Sequence, residues 1–136
     1  MTSEKSLFET LHAQYQPMVR TMCMGFVRGD SDIAHDLSQE VFINVWSAIE
    51  KFRGDASYKT WIYRITVNTC LQYLRKEKNR QRVSLNTVES SVPADPGKDH
   101  KELYDAIGQL NEIDRLIIMM VLDELEYDEI AKVVGI

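Results

Sequence analysis

The stretch KFRGDASYKTWIYRITVNTCLQYLRKEKNRQR, Lys51 to Arg82, is the most basic part of a chain that is acidic overall. It holds nine Lys and Arg residues against two acids, whereas the 136-residue chain has a formal net charge of −5. Ser57 can cap a helix, and the apolar residues after it recur at three- and four-residue spacing to about Lys78. The stretch therefore predicts a glycine-containing loop followed by one long amphipathic helix.

The segments on either side of this stretch also have helical patterns. Before it, apolar spacing predicts helices near residues 6–28 and 31–50, separated by capping residues that begin at Asp30. After Arg82, the segment VSLNTVESSVPADPGKD has two prolines and little apolar content, which is typical of a linker.

Beyond the linker, three shorter helices are predicted. The spacing of Leu103, Ile107 and Leu110 indicates the first. The second runs over residues 112–123 with Asn111 as its cap, and the third is YDEIAKVV. No alternation typical of β-strands occurs. We therefore expect an all-α chain in two modules, an N-terminal bundle and a smaller C-terminal module.

Composition excludes several classes of protein. A hydrophobic content of 44% with six glycines and three prolines is typical of a globular domain. The longest apolar run, residues 116–122, is too short to cross a bilayer, and the N-terminus has no signal-peptide core. Cys23 and Cys70 stand among apolar neighbours, so neither a disulfide framework nor a thiolate metal site is expected. The sequence predicts a cytoplasmic protein without metal or cofactor.

The polar residues of the basic helix fall on one stripe when successive residues are placed at ~100° intervals. The stripe is about 80° wide, contains no carboxylate, and consists of Trp61, Arg64, Asn68, Gln72, Arg75 and Asn79. The opposite face, which we expect to pack on the other helices, carries Tyr63, Val67, Cys70 and Leu74. Guanidinium groups can neutralise phosphates, amides can pair with base edges, and an exposed indole can stack on a base. The stripe therefore indicates a nucleic-acid surface; the alternatives are a plain solvated face and, for Trp61, a core position at the helix start.

Several motifs of this sequence resemble those of a known protein family. The segment DLSQEVFINVWSAIEKFRGDASYKTWIYRITVNTCLQYLR closely resembles conserved region 2 of the extracytoplasmic-function sigma factors of bacterial RNA polymerase. It shares D-L-x-Q-E-x-F, then F-R-G-D-A-S, then T-W-I-Y-R-I-x-x-N. The tail LNEIDRLIIMMVLDELEYDEIAKVVGI resembles the start of region 4, including the first helix and turn of a helix-turn-helix. The implied organisation is region 2 over residues 1–82, a linker over 83–98, and the first part of region 4 over 99–136.

The resemblance implies that the second helix docks on the clamp coiled coil of the largest subunit of core RNA polymerase. The residues carried over by motif position are Asp36, Gln39 and Glu40, and their face also holds Ile43, Ser47 and Glu50. An isoleucine among acids on an otherwise solvated face indicates a protein contact; the alternative is an acidic surface with one stray apolar residue.

The resemblance also implies a binding site for the melted non-template strand of the promoter's minus-ten element. In this family the loop matching Phe52 to Ser57 captures a flipped base, so the candidates there are Arg53, Gly54, Asp55, Ala56 and Ser57, with Lys59 at the helix start. The resemblance places Trp61 and Asn68 beside the opened strand. Our own inference adds Arg64, Arg75 and Lys76 for the phosphate backbone. Gln72 also faces the strand, but its base preference is open because many relatives have another polar residue there.

Two departures from the family pattern matter. Asn111-Glu112 stands in place of Pro-Glu and alters only a helix start, whereas Val133 to Ile136 stops in the turn before the recognition helix. We therefore expect a truncated region 4 that does not read a minus-thirty-five element by itself; a natural terminus here would leave the apolar face of YDEIAKVVGI unpaired. Family membership also implies promoter DNA and an anti-sigma factor as partners.

Other classes of function fit the sequence less well. An enzyme is not expected, since His12, His35 and His100 are scattered and neither a phosphate-binding loop nor zinc spacing occurs. A simple helix-turn-helix repressor would leave the basic helix and the acidic face of the second helix unexplained. A purely structural module would not need a stripe without carboxylates.

Overall fold

The chain folds as a set of packed helices. A computed structural model describes residues 2–54, 56–83 and 101–135, and in these ranges every regular element is helical. The predicted all-α class is therefore confirmed. The elements are α1 (Thr2–Phe26), α2 (Ser31–Ala48), a 3-10 turn (Ile49–Lys51), α3 (Tyr58–Val83), α4 (Lys101–Ile107), α5 (Glu112–Leu122) and α6 (Tyr127–Val134). Apart from Val83, which ends α3, the predicted linker lies outside the described residues.

Local chemistry explains where the first helices end. Helix α1 stops at Phe26, two residues before its predicted end, because Arg28 and Gly29 adopt left-handed φ angles of 62° and 87°. The N–H of Gly29 then donates to the carbonyl of Met24 at 2.8 Å, which closes the helix end. As predicted, Asp30 caps α2, and its Oδ1 accepts from the N–H of Ile33 at 3.2 Å. Helix α3 continues past Lys78 to Val83, since no glycine or proline interrupts it.

Helices α1, α2 and α3 pack together around one core. Its fully buried side chains include Val19 of α1, Val41 and Val45 of α2, and Ile62 and Tyr63 of α3. Each such aliphatic side chain stabilises the fold by about 1.5–3 kcal/mol. The predicted packing face of α3 is confirmed: three members are buried and the fourth is half-buried, in the order Tyr63, Val67, Cys70 and Leu74.

The C-terminal helices extend this core. Asn111 caps α5 as predicted, and its Oδ1 accepts from the N–H of Asp114 at 2.9 Å. Helix α5 packs against α1, and α6 packs against α3. Ile130 and Val133 of α6 are 6% and 4% exposed, so the expectation that a terminus here would leave the apolar face of α6 unpaired is wrong. The expectation assumed that only a recognition helix could cover the apolar face of α6, whereas α6 packs on α3.

The junction of α1 with the C-terminal helices is tightly fitted. A Cβ atom on Gly25 would overlap the thioether of Met119, so a side chain at this position would push α1 and α5 apart. Arg115 is 7% exposed, and its guanidinium donates to the carbonyls of Leu110 and Phe26, each at 3.0 Å. Burial, followed by the proximity of Arg28, lowers the pKa of Arg115. The first turn of α5 is therefore tied to the end of α1 by a buried cation.

Candidate nucleic-acid and polymerase surfaces

The loop before α3 presents an open backbone. Gly54 is exposed, has a φ of +81°, and would have no heavy atom within 4 Å of an added Cβ. The neighbouring Arg53 is exposed and Ala56 is half-buried, whereas Asp55 lies outside the described residues. A left-handed backbone in open space favours glycine for conformational reasons and leaves room for a ligand. The loop thus has the access that its predicted role requires.

Ser57 ends the loop as the cap of α3. Its Oγ accepts from the N–H of Thr60 at 3.1 Å and lies at the same distance from the Thr60 hydroxyl. A helix start usually offers free amides that can bind a base edge or a phosphate. The amide of Thr60 is not free, because the side chain of Ser57 already satisfies it.

Three aromatic rings form a cluster where the loop meets α3. The ring centroids of Phe52 and Tyr58 are 4.5 Å apart in a stacked arrangement, and Phe52 lies 5.0 Å from Trp61. Trp61 is half-buried, so it contributes to packing and still has an accessible part. Trp61 is therefore neither a fully buried core residue nor a fully exposed one: aromatic neighbours pack against the indole, and part of its surface stays accessible.

The remaining stripe residues differ in their surroundings. Asn68, Gln72 and Arg75 are exposed, as is the adjacent Lys76. Arg64 is half-buried, and its Nη2 donates to the backbone carbonyl of Lys132 in α6 at 3.4 Å. The middle of the stripe is thus open to solvent, whereas α6 borders its Arg64 edge.

Lys59 and Tyr63, one turn apart on α3, both contact Asp123, which follows α5. The Tyr63 hydroxyl donates to Asp123 Oδ2, and Lys59 Nζ lies 3.7 Å from the same oxygen. Burial, with a further contribution from the Asp123 carboxylate, raises the pKa of Tyr63 well above its ordinary value. Tyr63 therefore stays neutral and acts as a hydrogen-bond donor. No sequence pattern pointed to Asp123, because the contact joins residues 60 positions apart.

The predicted polymerase face of α2 is exposed. Asp36, Gln39, Glu40 and Ile43 all point to solvent, and Ile43 is 59% exposed. On the other side of the helix, Leu37 and Val41 are buried in the core. An isoleucine this exposed leaves apolar surface available to a partner.

Trp46 lies on the same exposed side of α2, although the interpretation from sequence did not include it. It stands three residues after Ile43, is 48% exposed, and packs edge-on against Phe8 with ring centroids 5.3 Å apart. Tryptophan is usually taken as a core residue, but the ~100° spacing of helical residues already puts Trp46 about 60° from Ile43. Helical geometry could therefore have added Trp46 to the candidates.

A groove of about 430 Å³ separates the α2 face from the α3 stripe. Asp36 and Glu40 line one wall, and Gln72 and Lys76 line the other, with Tyr73 also lining the groove. The two candidate surfaces therefore meet at this groove, whose α3 wall also carries Glu77 and Arg80.

The described residues offer no other site chemistry. Among them, no group of three or more His, Cys, Asp or Glu side chains is arranged to hold a metal ion. Cys23 and Cys70 are buried free thiols, and their contact together with burial raises the pKa of Cys70. In the same part of the chain, no helix combines the length and the apolar character that a membrane span requires.

Comparison with known families assigns the class of protein. Residues 11–80, from within α1 to near the end of α3, match the model of Sigma-70 region 2. The chain belongs to the sigma-70 family, and its expected place among the extracytoplasmic-function sigma factors is confirmed by its relatives.

Among these relatives is the RNA polymerase sigma-H factor of Pseudomonas aeruginosa, which is 31% identical over 123 residues. The ECF RNA polymerase sigma-E factor of Escherichia coli has the same identity over the same length. Both alignments cover 90% of this chain and 58% of the relative, so the chain spans little more than half the length of these relatives. The sigma-E factor of Haemophilus influenzae is 29% identical over 147 residues, covering 96% of this chain and 77% of that protein.

A solved structure shares the fold. It is that of the sigma factor RpoE in complex with the anti-sigma factor NepR from Bartonella quintana, with a TM-score of 0.79 and 23% identity. The match covers 94% of this chain and 82% of that chain, so it includes the C-terminal helices as well as the region 2 bundle.

Proposed function

We propose that this chain acts as a bacterial sigma factor that binds core RNA polymerase, directs it to specific promoters and helps to open the minus-ten region. The observation that carries this proposal is the pair of exposed surfaces on one bundle, an acidic face with Ile43 on α2 and a polar stripe on α3. Membership in the sigma-70 family supports it. In this proposal the chain performs no catalysis, because the polymerase makes the RNA. Both proteins act in the cytoplasm.

In the proposed polymerase contact, Asp36, Gln39, Glu40 and Ile43 bind the clamp coiled coil of the largest subunit. Exposed carboxylates steer the approach of a basic partner, and apolar side chains contribute affinity once water is excluded. Ile43 is 59% exposed, and neighbouring aromatic packing supports Trp46, so both can bury apolar area without reorganising the helix.

In the proposed promoter contact, the open loop at Gly54 holds an extruded base and the accessible part of Trp61 stacks on a neighbouring one. Stacking of one base on an aromatic side chain contributes roughly 1–3 kcal/mol, which is comparable with the cost of unstacking a base from a duplex. Asn68 then reads a base edge, and Arg75 and Lys76 bind phosphates. Gln72 faces the same strand without an assigned base.

We also propose an anti-sigma factor as a partner of this chain. The solved structure with the shared fold is of a sigma factor bound to such a protein, and the family resemblance implies the same kind of control. An anti-sigma factor that covers the α2 face would block polymerase binding, and one that covers α3 would block promoter opening.

Transcription in vitro with core polymerase and this protein tests this function. We expect Glu40→Lys to weaken core binding, because it reverses a charge on the α2 face. Glu9→Lys, which reverses an exposed charge on α1, is its matched control. Asn68→Ala and Trp61→Ala are expected to preserve core binding and to lose promoter opening, with the exposed Gln109→Ala as control. Normal initiation by all three test variants would refute the assigned sites.

A further inference from the structure

The turn between α5 and α6 is the most acidic short segment of the chain. Residues 123–129, DELEYDE, contain five carboxylates, and we call this segment the acidic turn. Because α5 packs on α1 and α6 packs on α3, the segment is held beside the basic helix. Within it, Glu124 adopts a left-handed φ of 65°, which reverses the chain between the two helices.

Two cations of the proposed strand-binding set contact this region. Lys59 pairs with Asp123 at 3.7 Å, and the same carboxylate accepts from the buried Tyr63. Arg64 donates to the carbonyl of Lys132 at 3.4 Å, near the C-terminal end of α6, where the helix dipole is negative. The protein's own electronegative groups therefore occupy donors that phosphates would otherwise engage.

We infer that the acidic turn and the end of α6 compete with single-stranded nucleic acid for Lys59 and Arg64. When a strand engages these two residues, Asp123 loses its ion pair with Lys59 and keeps the hydrogen bond from Tyr63, while the Lys132 carbonyl loses its bond from Arg64. Two polar contacts that hold α6 beside α3 are then removed. This inference rests on the proposed function, because it requires that the basic helix binds a strand. Its occupant is a segment of this chain, with charge opposite to that of the surface it covers.

The competition acts on affinity without abolishing binding. The Lys59 and Asp123 side chains are 46% and 45% exposed, so water and salt weaken their attraction. Asn68, Gln72 and Arg75 are exposed, so they remain accessible to a strand while Lys59 is paired with Asp123. Removing the Asp123 charge is therefore expected to tighten strand binding by up to about fivefold at low salt, the upper end of the range of an exposed ion pair.

Fluorescence anisotropy with a labelled short single-stranded DNA of mixed sequence tests this inference on the intact chain. Asp123→Asn keeps the size of the side chain and an acceptor for Tyr63, but it removes the charge. Asp128→Asn makes the same change at another exposed acid of the turn, so it controls for net charge. We expect tighter binding by Asp123→Asn than by Asp128→Asn, with the difference disappearing at high salt. Equal affinities of the two variants at low salt would overturn the competition.

Two further measurements separate this inference from the proposed function. Asn68→Ala and Arg75→Gln report strand binding alone. If both weaken binding while Asp123→Asn and Asp128→Asn bind the DNA with equal affinity, the acidic turn does not compete, although the strand site is supported. If neither weakens binding, the strand site fails and the competition fails with it. Hydrogen exchange on the unmodified chain needs no variant: saturating DNA should speed amide exchange in Tyr127–Val134, and unchanged exchange would overturn the inference.

Discussion

Arg115 joins α5 to α1 through a hydrogen bond from its Nη1 to the carbonyl of Phe26 at 3.0 Å. The same guanidinium donates from Nε to Leu110 at 3.0 Å and from Nη2 to Gly108 at 3.4 Å. A single buried cation therefore satisfies three carbonyls from the end of α1 and from the loop before α5. This contact fixes how the C-terminal helices sit on the bundle.

Replacing Arg115 with methionine is expected to lower the free energy of unfolding by about 2–4 kcal/mol, because it leaves buried carbonyls without donors. Urea unfolding monitored by circular dichroism measures this change. Arg53→Met, which removes an exposed guanidinium from the loop, is the control and should change stability by less than about 0.5 kcal/mol. Equal stability of the two variants would show that the Arg115 hydrogen bonds do not stabilise the junction.

Gly25→Ala is expected to destabilise the protein by about 1–3 kcal/mol, because the new methyl group would overlap Met119. The substitution Met119→Ala should relieve part of this cost. A double-mutant cycle from thermal or urea unfolding measures the coupling between the two positions. If the two single changes are simply additive, the close approach of α1 and α5 at Gly25 is not what limits the size of this residue.

The raised pKa of Tyr63 predicts a loss of stability in alkaline solution. Its ordinary value is 10.0, and the folded protein holds the proton more tightly, so the unfolded chain releases it first as the pH rises. The stabilising effect is complete below about pH 10 and declines above it by up to about 1.4 kcal/mol per pH unit. Urea unfolding between neutral pH and pH 11 should show a smaller decline for Tyr63→Phe. Parallel curves for the two proteins would contradict this assignment.

Trp46→Ala is expected to weaken binding to core polymerase by about thirtyfold, the equivalent of about 2 kcal/mol for a partly buried aromatic anchor. Trp46→Phe should retain most of the affinity because it preserves the packing against Phe8. A pull-down titration or surface plasmon resonance with core enzyme measures both variants. Wild-type affinity of Trp46→Ala would restrict the polymerase surface to the four residues predicted from sequence.

The isolated chain is expected to bind single-stranded minus-ten DNA weakly and with a strong dependence on salt. Each phosphate contact contributes about 0.7 to the slope of log affinity against log salt, so replacing both Arg75 and Lys76 with glutamine should lower that slope by about 1.4. Anisotropy titrations over a salt series give the slopes. Equal affinity at low and high salt would exclude the stripe as a phosphate-binding surface.

Features that depend on nearby residues could be predicted from the sequence. The caps at Asp30, Ser57 and Asn111 follow from side-chain chemistry within one turn, and the buried and exposed faces of α2 and α3 follow from helical periodicity. The loop at Gly54 was likewise predictable, because its sequence breaks the helical pattern.

Contacts between distant segments could not be predicted in this way. No local pattern distinguishes Arg115 from a solvated residue, yet it is buried and donates to a carbonyl 89 positions away. No local pattern distinguishes Asp123 from the neighbouring acids, yet it accepts a hydrogen bond from Tyr63. Such pairs depend on how whole helices pack, and periodicity within one helix carries no information about that packing.

The two ends of α5 are restrained to different degrees. At its first turn, Arg115 binds three carbonyls in a buried setting, whereas the residue after its last turn is held by Tyr63 and a half-exposed lysine. The Arg115 end is therefore anchored to α1 by buried hydrogen bonds, whereas the Asp123 end depends on two side chains of α3 and on the burial of Ile130 and Val133 in α6. Loss of the Lys59 contact would weaken the attachment of the C-terminal helices to α3, while Arg115 would still hold the start of α5 on α1.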